Sequence, residues 1–330
     1  MRLSRKGSRH LSGPAGGEQG INRRAIIAGG LAASFVPFRR AGAATNDLSL
    51  TTVADGVYAF AGIDALMEPD NHGAICNVGV IVGKDAVAVV DSGGSVVEAE
   101  ALAKAITEVT DRPIKYLVNT HMHPDHIFGN AVFKRLGATI IGHRNLPRAL
   151  EARGSFYLQS YQRQLGPELM RGIEIVPPTR TVDDVETIDL GGRALELKAW
   201  KPAHTDNDLT VLDPATMSFF AGDLVFMRHL PTLDGSLLGW MRQMDALAAV
   251  DASKVVPGHG PASADWPQAL QAERRYFDVL AEDLRTAIKK GVPLAKAVQT
   301  AGRSESGNWA LFDEYNERNA TTAYAELEWE

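Results

Sequence analysis

The chain has 330 residues, 45% hydrophobic and 22% charged, with 40 acidic residues against 34 basic and one cysteine. That length and apolar content are enough for one large buried core or two smaller ones, and no run reaches the ~18 uninterrupted apolar residues of a membrane span. A single cysteine excludes an intramolecular disulfide, and the acidic balance argues against nucleic acid or anionic membrane as a partner.

The first 43 residues differ in kind from the rest. Arg2, Arg5, Lys6, Arg9, Arg23, Arg24, Arg39 and Arg40 stand against Glu18 alone, so the remainder holds 26 basic and 39 acidic residues, a net of −13. The segment Asn22-Arg23-Arg24-Ala25-Ile26-Ile27 resembles a twin-arginine motif, with Ile where Phe-Leu is usual. Ala25 to Phe38 is apolar but too short to span, and Ala41-Gly42-Ala43 offers a small-residue cleavage site. Residues 1–43 therefore read as an export signal cleaved near Ala43. Residues 44–330 read as one periplasmic domain.

The pattern is β from Leu48. Thr51-Thr52-Val53 and Val57 to Phe60 flank an Asp55-Gly56 turn. Ala74 to Val82 and Ala86 to Asp91, joined by Gly83-Lys84-Asp85, predict a hairpin in a sheet covered on both faces. Cys76 lies in the first of these runs and reads as a small buried hydrophobe. Ala101, Leu102, Ala105, Ile106 and Val109 then follow helical spacing, and Ile114 to Asn119 is a strand ending at Thr120.

Next come Thr120-His121-Met122-His123-Pro124-Asp125-His126. In extended backbone, residues two apart point the same way, so His121 and His123 aim at one point. Pro124 keeps His123 out of the helical region. Asp125 and His126 fall on the turn into a helix and face a second point. Three imidazoles and a carboxylate within six residues is ligand chemistry for a borderline cation such as zinc.

A helix to about Leu136, a strand Ala138 to Ile141 and a helix from Leu146 to about Arg171 follow. His143 ends that strand and reads as structural. Beyond Pro177-Pro178, strands are predicted at Thr187 to Leu190, Leu195 to Leu197, Leu209 to Leu212, Ser218 to Asp223 and Lys254 to Pro257. An amphipathic helix from Trp266 to Lys290 opens a helical extension. Three more ligand candidates stand where strands end: His204, Asp223 and His259. Each follows an apolar strand and a Gly or Pro, a grammar that lines side chains along one sheet edge.

The ordered set His121, His123, Asp125, His126, His204, Asp223 and His259 resembles the motif series of the metallo-β-lactamase superfamily, over about Val57 to His259. That resemblance implies an α/β, αββα four-layer sandwich with a two-metal site at one edge. It implies His121, His123 and His204 on the first metal, Asp125, His126 and His259 on the second, and Asp223 bridging both. The expected cofactor is two Zn2+ per chain, with iron or manganese as alternatives. Two divalent cations, two aspartates and a hydroxide sum to +1, which favours a small anionic substrate. A water on such metals can ionise near pH 7 and attack an ester, lactone, thioester or amide, with Asp125 as the catalytic group managing the proton.

Lactams are possible substrates, although lactamases with a similar loop generally lack a carboxylate at the Asp223 position. The stretches Thr120 to Gly129, Leu230 to Trp240 and Leu327 to Glu330 resemble more narrowly the exported SoxH-like members, also described as quinoprotein relay system zinc metallohydrolases. That match implies a functional link to a periplasmic quinoprotein dehydrogenase. Iron-bearing relatives with persulfide or oxygen chemistry, and a non-catalytic accessory of such a dehydrogenase, are the competing functions. For the substrate itself, Arg228 is expected to hold an anionic group and Trp240 to wall the pocket.

Overall fold

The computed structural model describes residues 48–330, so the export segment read at residues 1–43 lies outside the described residues. Two sheets carry the domain. The first has seven strands in sequence order: β1 (Thr51–Ala54), β2 (Val57–Phe60), β3 (Val78–Val82), β4 (Val87–Val90), β5 (Ile114–Val118), β6 (Thr139–His143) and β7 (Arg180–Val182). It begins antiparallel and becomes parallel from β4 to β7. Parallel neighbours need crossovers, and these are supplied by α1 (Val96–Val109), by α2 (Pro124–Ile127) with α3 (Asn130–Arg135), and by α4 (Leu146–Leu169).

The second sheet holds β8 (Val185–Asp189), β9 (Ala194–Ala199), β10 (Leu209–Asp213), β11 (Ser218–Phe226), β12 (Lys254–His259) and β13 (Ala264–Asp265) in the order β13-β12-β11-β10-β9-β8. Helix α5 (Leu237–Ala248) crosses between the parallel strands β11 and β12. Helices α6 (Gln271–Lys289), α7 (Leu294–Thr300) and α8 (Phe312–Leu327) complete the chain.

Strand β4 shows why its sequence is apolar at every position. Val87 and Val89 pack outward with Leu102 and Ile106 of α1, while Ala88 and Val90 pack inward with Leu197, Val211 and Phe220 of the other sheet. A strand covered on both faces has no solvent side on which to place polar residues. On the far side of the second sheet, Trp240, Phe277, Leu280 and Ala320 of α5, α6 and α8 form the largest apolar cluster. The layers are thus helix, sheet, sheet, helix, as the resemblance implied.

Two elements depart from the sequence reading. The strand expected from Ala74 starts only at Val78, because Asn77 is used as a knot instead. Its side chain accepts from Gly62 N at 3.0 Å and donates to Pro257 O at 2.8 Å and Pro261 O at 3.1 Å, tying this segment to the loop that carries His259. The long helix expected from Trp266 begins at Gln271, after a short 3-10 turn at Gln268–Leu270. Pro267, which has no N–H to donate, stands just before that turn.

Candidate metal centre

The end of β5 with the turn into α2, the β9–β10 loop, the middle of β11 and the end of β12 bring together all seven residues that the sequence singled out. His123 has φ −71° and ψ 148°, the extended geometry imposed by the following proline, and α2 starts one residue later. Asp223 lies inside β11, which runs on to Phe226 with register shifts against β12 on both sides of Gly222. A bulge of that kind re-aims a side chain out of the sheet pattern. Two glycines make room for it. Gly222 has φ +53°, and a Cβ there would meet the Thr120 side chain at 2.6 Å. A Cβ on Gly258 would fall 1.9 Å from Asp223 Oδ1.

Each imidazole has one nitrogen engaged by a neighbour that fixes its proton. His204 Nδ1 donates to Thr232 O at 2.7 Å, and His259 Nδ1 to Ile75 O at 3.0 Å. His126 Nδ1 donates to Asp91 Oδ2 at 2.8 Å, and His123 Nε2 to Asp234 Oδ2 at 3.1 Å. The Thr120 hydroxyl donates to Asp91 Oδ2 at 2.7 Å, so it accepts from His121 Nδ1 at 3.0 Å. A neutral imidazole has one donor and one acceptor, so the remaining nitrogens carry lone pairs. All five of these nitrogens face inward, toward one another and the carboxylates of Asp125 and Asp223.

His204 Nε2 lies 3.2 Å from His121 Nε2, 3.0 Å from His123 Nδ1 and 3.3 Å from Asp223 Oδ2. On the other side, His126 Nε2 is 3.1 Å from Asp223 Oδ1 and 3.4 Å from Asp125 Oδ2, and His259 Nε2 is 3.3 Å from Asp125 Oδ2. Tetrahedral zinc with Zn–N of about 2.0–2.1 Å separates its ligand atoms by roughly 3.3–3.4 Å. The spacing matches a cation at the centre of each group, and in the first group the facing imidazole nitrogens of His121, His123 and His204 have no proton between them. His126 Nε2 and Asp223 Oδ1 are buried with no hydrogen-bond partner among the described residues, as suits atoms whose role is to bind a metal. The residues present fit two metal ions, with Asp223 offering one oxygen to each group.

The electrostatics have the same sense. Burial works against charge on Asp223 and Asp125, yet the surrounding histidines hold both carboxyls well below their usual range. His259 is also buried, but the Asp223 and Asp125 carboxylates push it up to about 9. Burial pushes His204 down to about 3 against the pull of Asp223. The cluster therefore attracts positive charge on the Asp125 side and keeps His204 neutral and ready to bind.

Beside the cluster opens a cavity of about 290 Å³, with His123, Asp125, Asp223 and His259 at its base and α4 and α8 as walls. The walls carry Arg153, Tyr157 and Tyr161 from α4 and Tyr315 and Arg318 from α8. Two sequence expectations fail here. Arg228 does not line the cavity; it pairs with Asp64 at 3.0 Å. Trp240 is fully buried between Phe277, Phe226 and the His204 ring, in the core of the second sheet's helical layer. An apolar ring at the start of a helix packs inward, and the loop before it reaches the site through Thr232 and Asp234 instead. His143 is structural as expected, accepting from Asn145 N at 3.0 Å.

Asp91 and Asp234 escaped the sequence reading. Asp91 takes bonds from Thr120 N, Thr120 Oγ1 and His126 Nδ1, and has φ +63°, which costs a residue with a side chain. Asp91 also ends an apolar strand, but it follows Val90 directly, without the Gly or Pro that marked the other candidates. No local signal marks Asp234, Arg153 or Arg318.

Residues 73–259 match the family model described as the metallo-beta-lactamase superfamily. The chain is similar to a "Beta-lactamase-like protein 2 homolog" of Caenorhabditis elegans, 25% identical over 52% of this chain and 51% of that protein. It is also similar to a "Linear primary-alkylsulfatase" of a Pseudomonas species, 23% identical over 55% of this chain and 40% of that one. The chain thus spans about half the length, or less, of these curated relatives. A metallo-beta-lactamase of Pontibacter korlensis superposes with TM-score 0.56 at 21% identity, covering 70% of this chain and 99% of that one. The DIM-1 metallo-beta-lactamase does so with TM-score 0.53 at 18% identity, covering 70% and 97%.

Proposed function

From the premise that the chain belongs to the metallo-beta-lactamase superfamily, we propose that it is a zinc-dependent hydrolase of a small ester, lactone, thioester or amide. His121, His123 and His204 would hold one metal, Asp125, His126 and His259 the other, and Asp223 both. When bound, the metals supply a water that ionises near neutral pH and positive charge for a developing oxyanion. The observation that carries this reading is the convergence of five imidazole nitrogens whose opposite ring nitrogens are all pinned by protein acceptors.

The chain's own groups do the rest. Asp125 Oδ2 faces His126 and His259, while the residue borders the cavity, so its outer oxygen is the group placed to exchange a proton with a bound substrate. The Tyr157, Tyr161 and Tyr315 side chains narrow the cavity and exclude water from the substrate's flanks. Asp234 and Asp91 hold His123 and His126 in the binding tautomer, the usual role of a carboxylate behind a ligating histidine.

Export and a periplasmic location are part of the proposal and rest on Arg23-Arg24 and Ala41-Gly42-Ala43. No helix among the described residues is long and apolar enough to cross a membrane. The narrower resemblance to SoxH-like proteins supports a working context beside a quinoprotein dehydrogenase. Elemental analysis of purified protein, run with an ester, lactone, thioester and lactam panel, tests the reading. Close to two zinc per chain with turnover is the expected result. Stoichiometric iron, or two zinc ions with no turnover of any panel member, would replace it with the redox or the accessory function.

A further inference from the structure

The cavity wall contains an arrangement that metal binding does not require. Arg153 on α4 and Arg318 on α8 both reach the same carboxylate, Asp234, Arg153 at Oδ2 and Arg318 at Oδ1. The Arg318 contact is long, 3.5 Å, and is its only hydrogen bond among the described residues, which leaves most of its guanidinium donors unspent. The Arg153 and Arg318 side chains are 44% and 56% exposed, and both border the cavity. Two guanidinium groups against one carboxylate leave a net positive charge on this wall.

A second observation points to a ligand in the same place. The Tyr157 hydroxyl borders the cavity and is buried beside Arg153, whose guanidinium can only donate, so the hydroxyl's own proton has no acceptor among the described residues. A buried donor left unmade is costly unless a ligand completes it. Aromatic rings flank it: Phe156 stands beside Tyr157 with ring centres 6.2 Å apart, and Tyr161 packs edge-on to Phe128 at 5.5 Å. About 290 Å³ is at the lower end of ligand pockets, so the occupant is small.

We propose that this wall is a carboxylate clamp, in which Arg153 and Arg318 grip the acid group of a small aromatic or short acyl substrate and Tyr157 donates to it. The inference deepens the hydrolase reading and rests on it for the word substrate. A carboxylate is chosen over other anions because the two forks already seat one, that of Asp234, and planar guanidinium groups match planar carboxylates. Asp234 also accepts from His123 Nε2 at 3.1 Å, so an anion held on its arginines sits one side chain from the metal centre. The reacting bond would lie a few atoms from the acid group.

Calorimetric titration of the metal-loaded protein with benzoate and with benzyl alcohol tests this. Benzoate should bind the unmodified protein at least tenfold more tightly than benzyl alcohol. Arg318→Gln and Arg153→Gln should each weaken benzoate about tenfold or more and benzyl alcohol less than twofold, with Arg318→Lys between. Equal affinity for the two probes in the unmodified protein would overturn the clamp and needs no variant to fold. So would benzoate binding that ignores both arginines, the mark of a carboxylate sitting directly on the metals, and so would tighter binding of benzenesulfonate. A drop in melting temperature with unchanged benzoate affinity would make the arginines mere ties between α4 and α8. Benzoate selectivity without turnover of any panel ester would retire the hydrolase reading and leave the clamp standing.

Discussion

Replacing Asp234 by alanine isolates what the protein does behind a metal ligand. Asp234 Oδ2 accepts the Nε2 proton of His123 at 3.1 Å, which leaves Nδ1 as the lone pair turned toward His204 and His121. Burial would raise the Asp234 carboxyl, but His123 and Arg153 hold it well below the usual carboxylate range, so it is a full anion at neutral pH. Without it, the His123 ring loses both its orientation and the bias toward the binding tautomer. Loss of such a partner typically costs 10–100-fold in metal affinity, about 1.4–2.8 kcal/mol. The side chain is only 13% exposed, so little water takes its place, and the upper half of that range is expected. Arg153 and Arg318 would also lose their shared counter-charge, which adds repulsion toward a cation. Asp234→Asn keeps a carbonyl acceptor and should lose less than tenfold. Chelator competition read by metal mass spectrometry gives the two affinities. Alanine and asparagine variants equally impaired, or an alanine variant within twofold of the unmodified protein, would refute the role assigned to this carboxylate.

Three shorter predictions follow from the same structure and a fourth from the sequence of residues 1–43. His204→Ala removes a lone pair shared by every atom of the first group, so metal content should fall from two towards one per chain, and a fully loaded variant would sink the assignment. Asp125→Asn should keep the fold and at least one metal yet lose about 10²–10⁴ in kcat; full metal with unchanged kcat across roughly pH 6–9 would make Asp125 a spectator. Glu98 is buried with one oxygen unpartnered, and burial pushes its carboxyl up to about 8 from 4.5. A carboxyl raised in the folded state contributes stability below its unfolded value and loses it as pH climbs through the folded one, so stability should fall between about pH 4.5 and 8. Glu98→Gln should therefore melt at least about 2 °C higher than the unmodified protein at pH 8.5 and alongside it at pH 4.5, and coincident melting at both would contradict this. Changing Arg23 and Arg24 together to lysine should leave unprocessed precursor in the cytoplasm, and normal processing in the periplasm would end the twin-arginine proposal.

The seven candidate ligands were legible because the geometry that aims each one is local. A strand end fixes where its next side chain points, and the alternation of His121 and His123, the restraint of Pro124 and the turn into α2 all act within six residues. The layered sandwich was legible for a related reason, since a strand such as Val87–Val90 can be apolar at every position only if both faces are covered. What lines the cavity beside these candidate ligands was not local. Asp234 meets His123 across 111 residues, Arg153 across 81 and Arg318 across 84. No periodicity in the chain records which turn of α4 or α8 will face that loop. The packing of α8 against α6 decides it, as does Asn319, which donates to Pro231 O at 2.6 Å and accepts from Leu233 N at 2.9 Å, with its side chain 3.1 Å from the Tyr276 hydroxyl. Arg228 illustrates the reverse case. Its place near Asp223 in sequence put it near the metals on paper, but φ +66° at that residue sends its side chain to Asp64 instead.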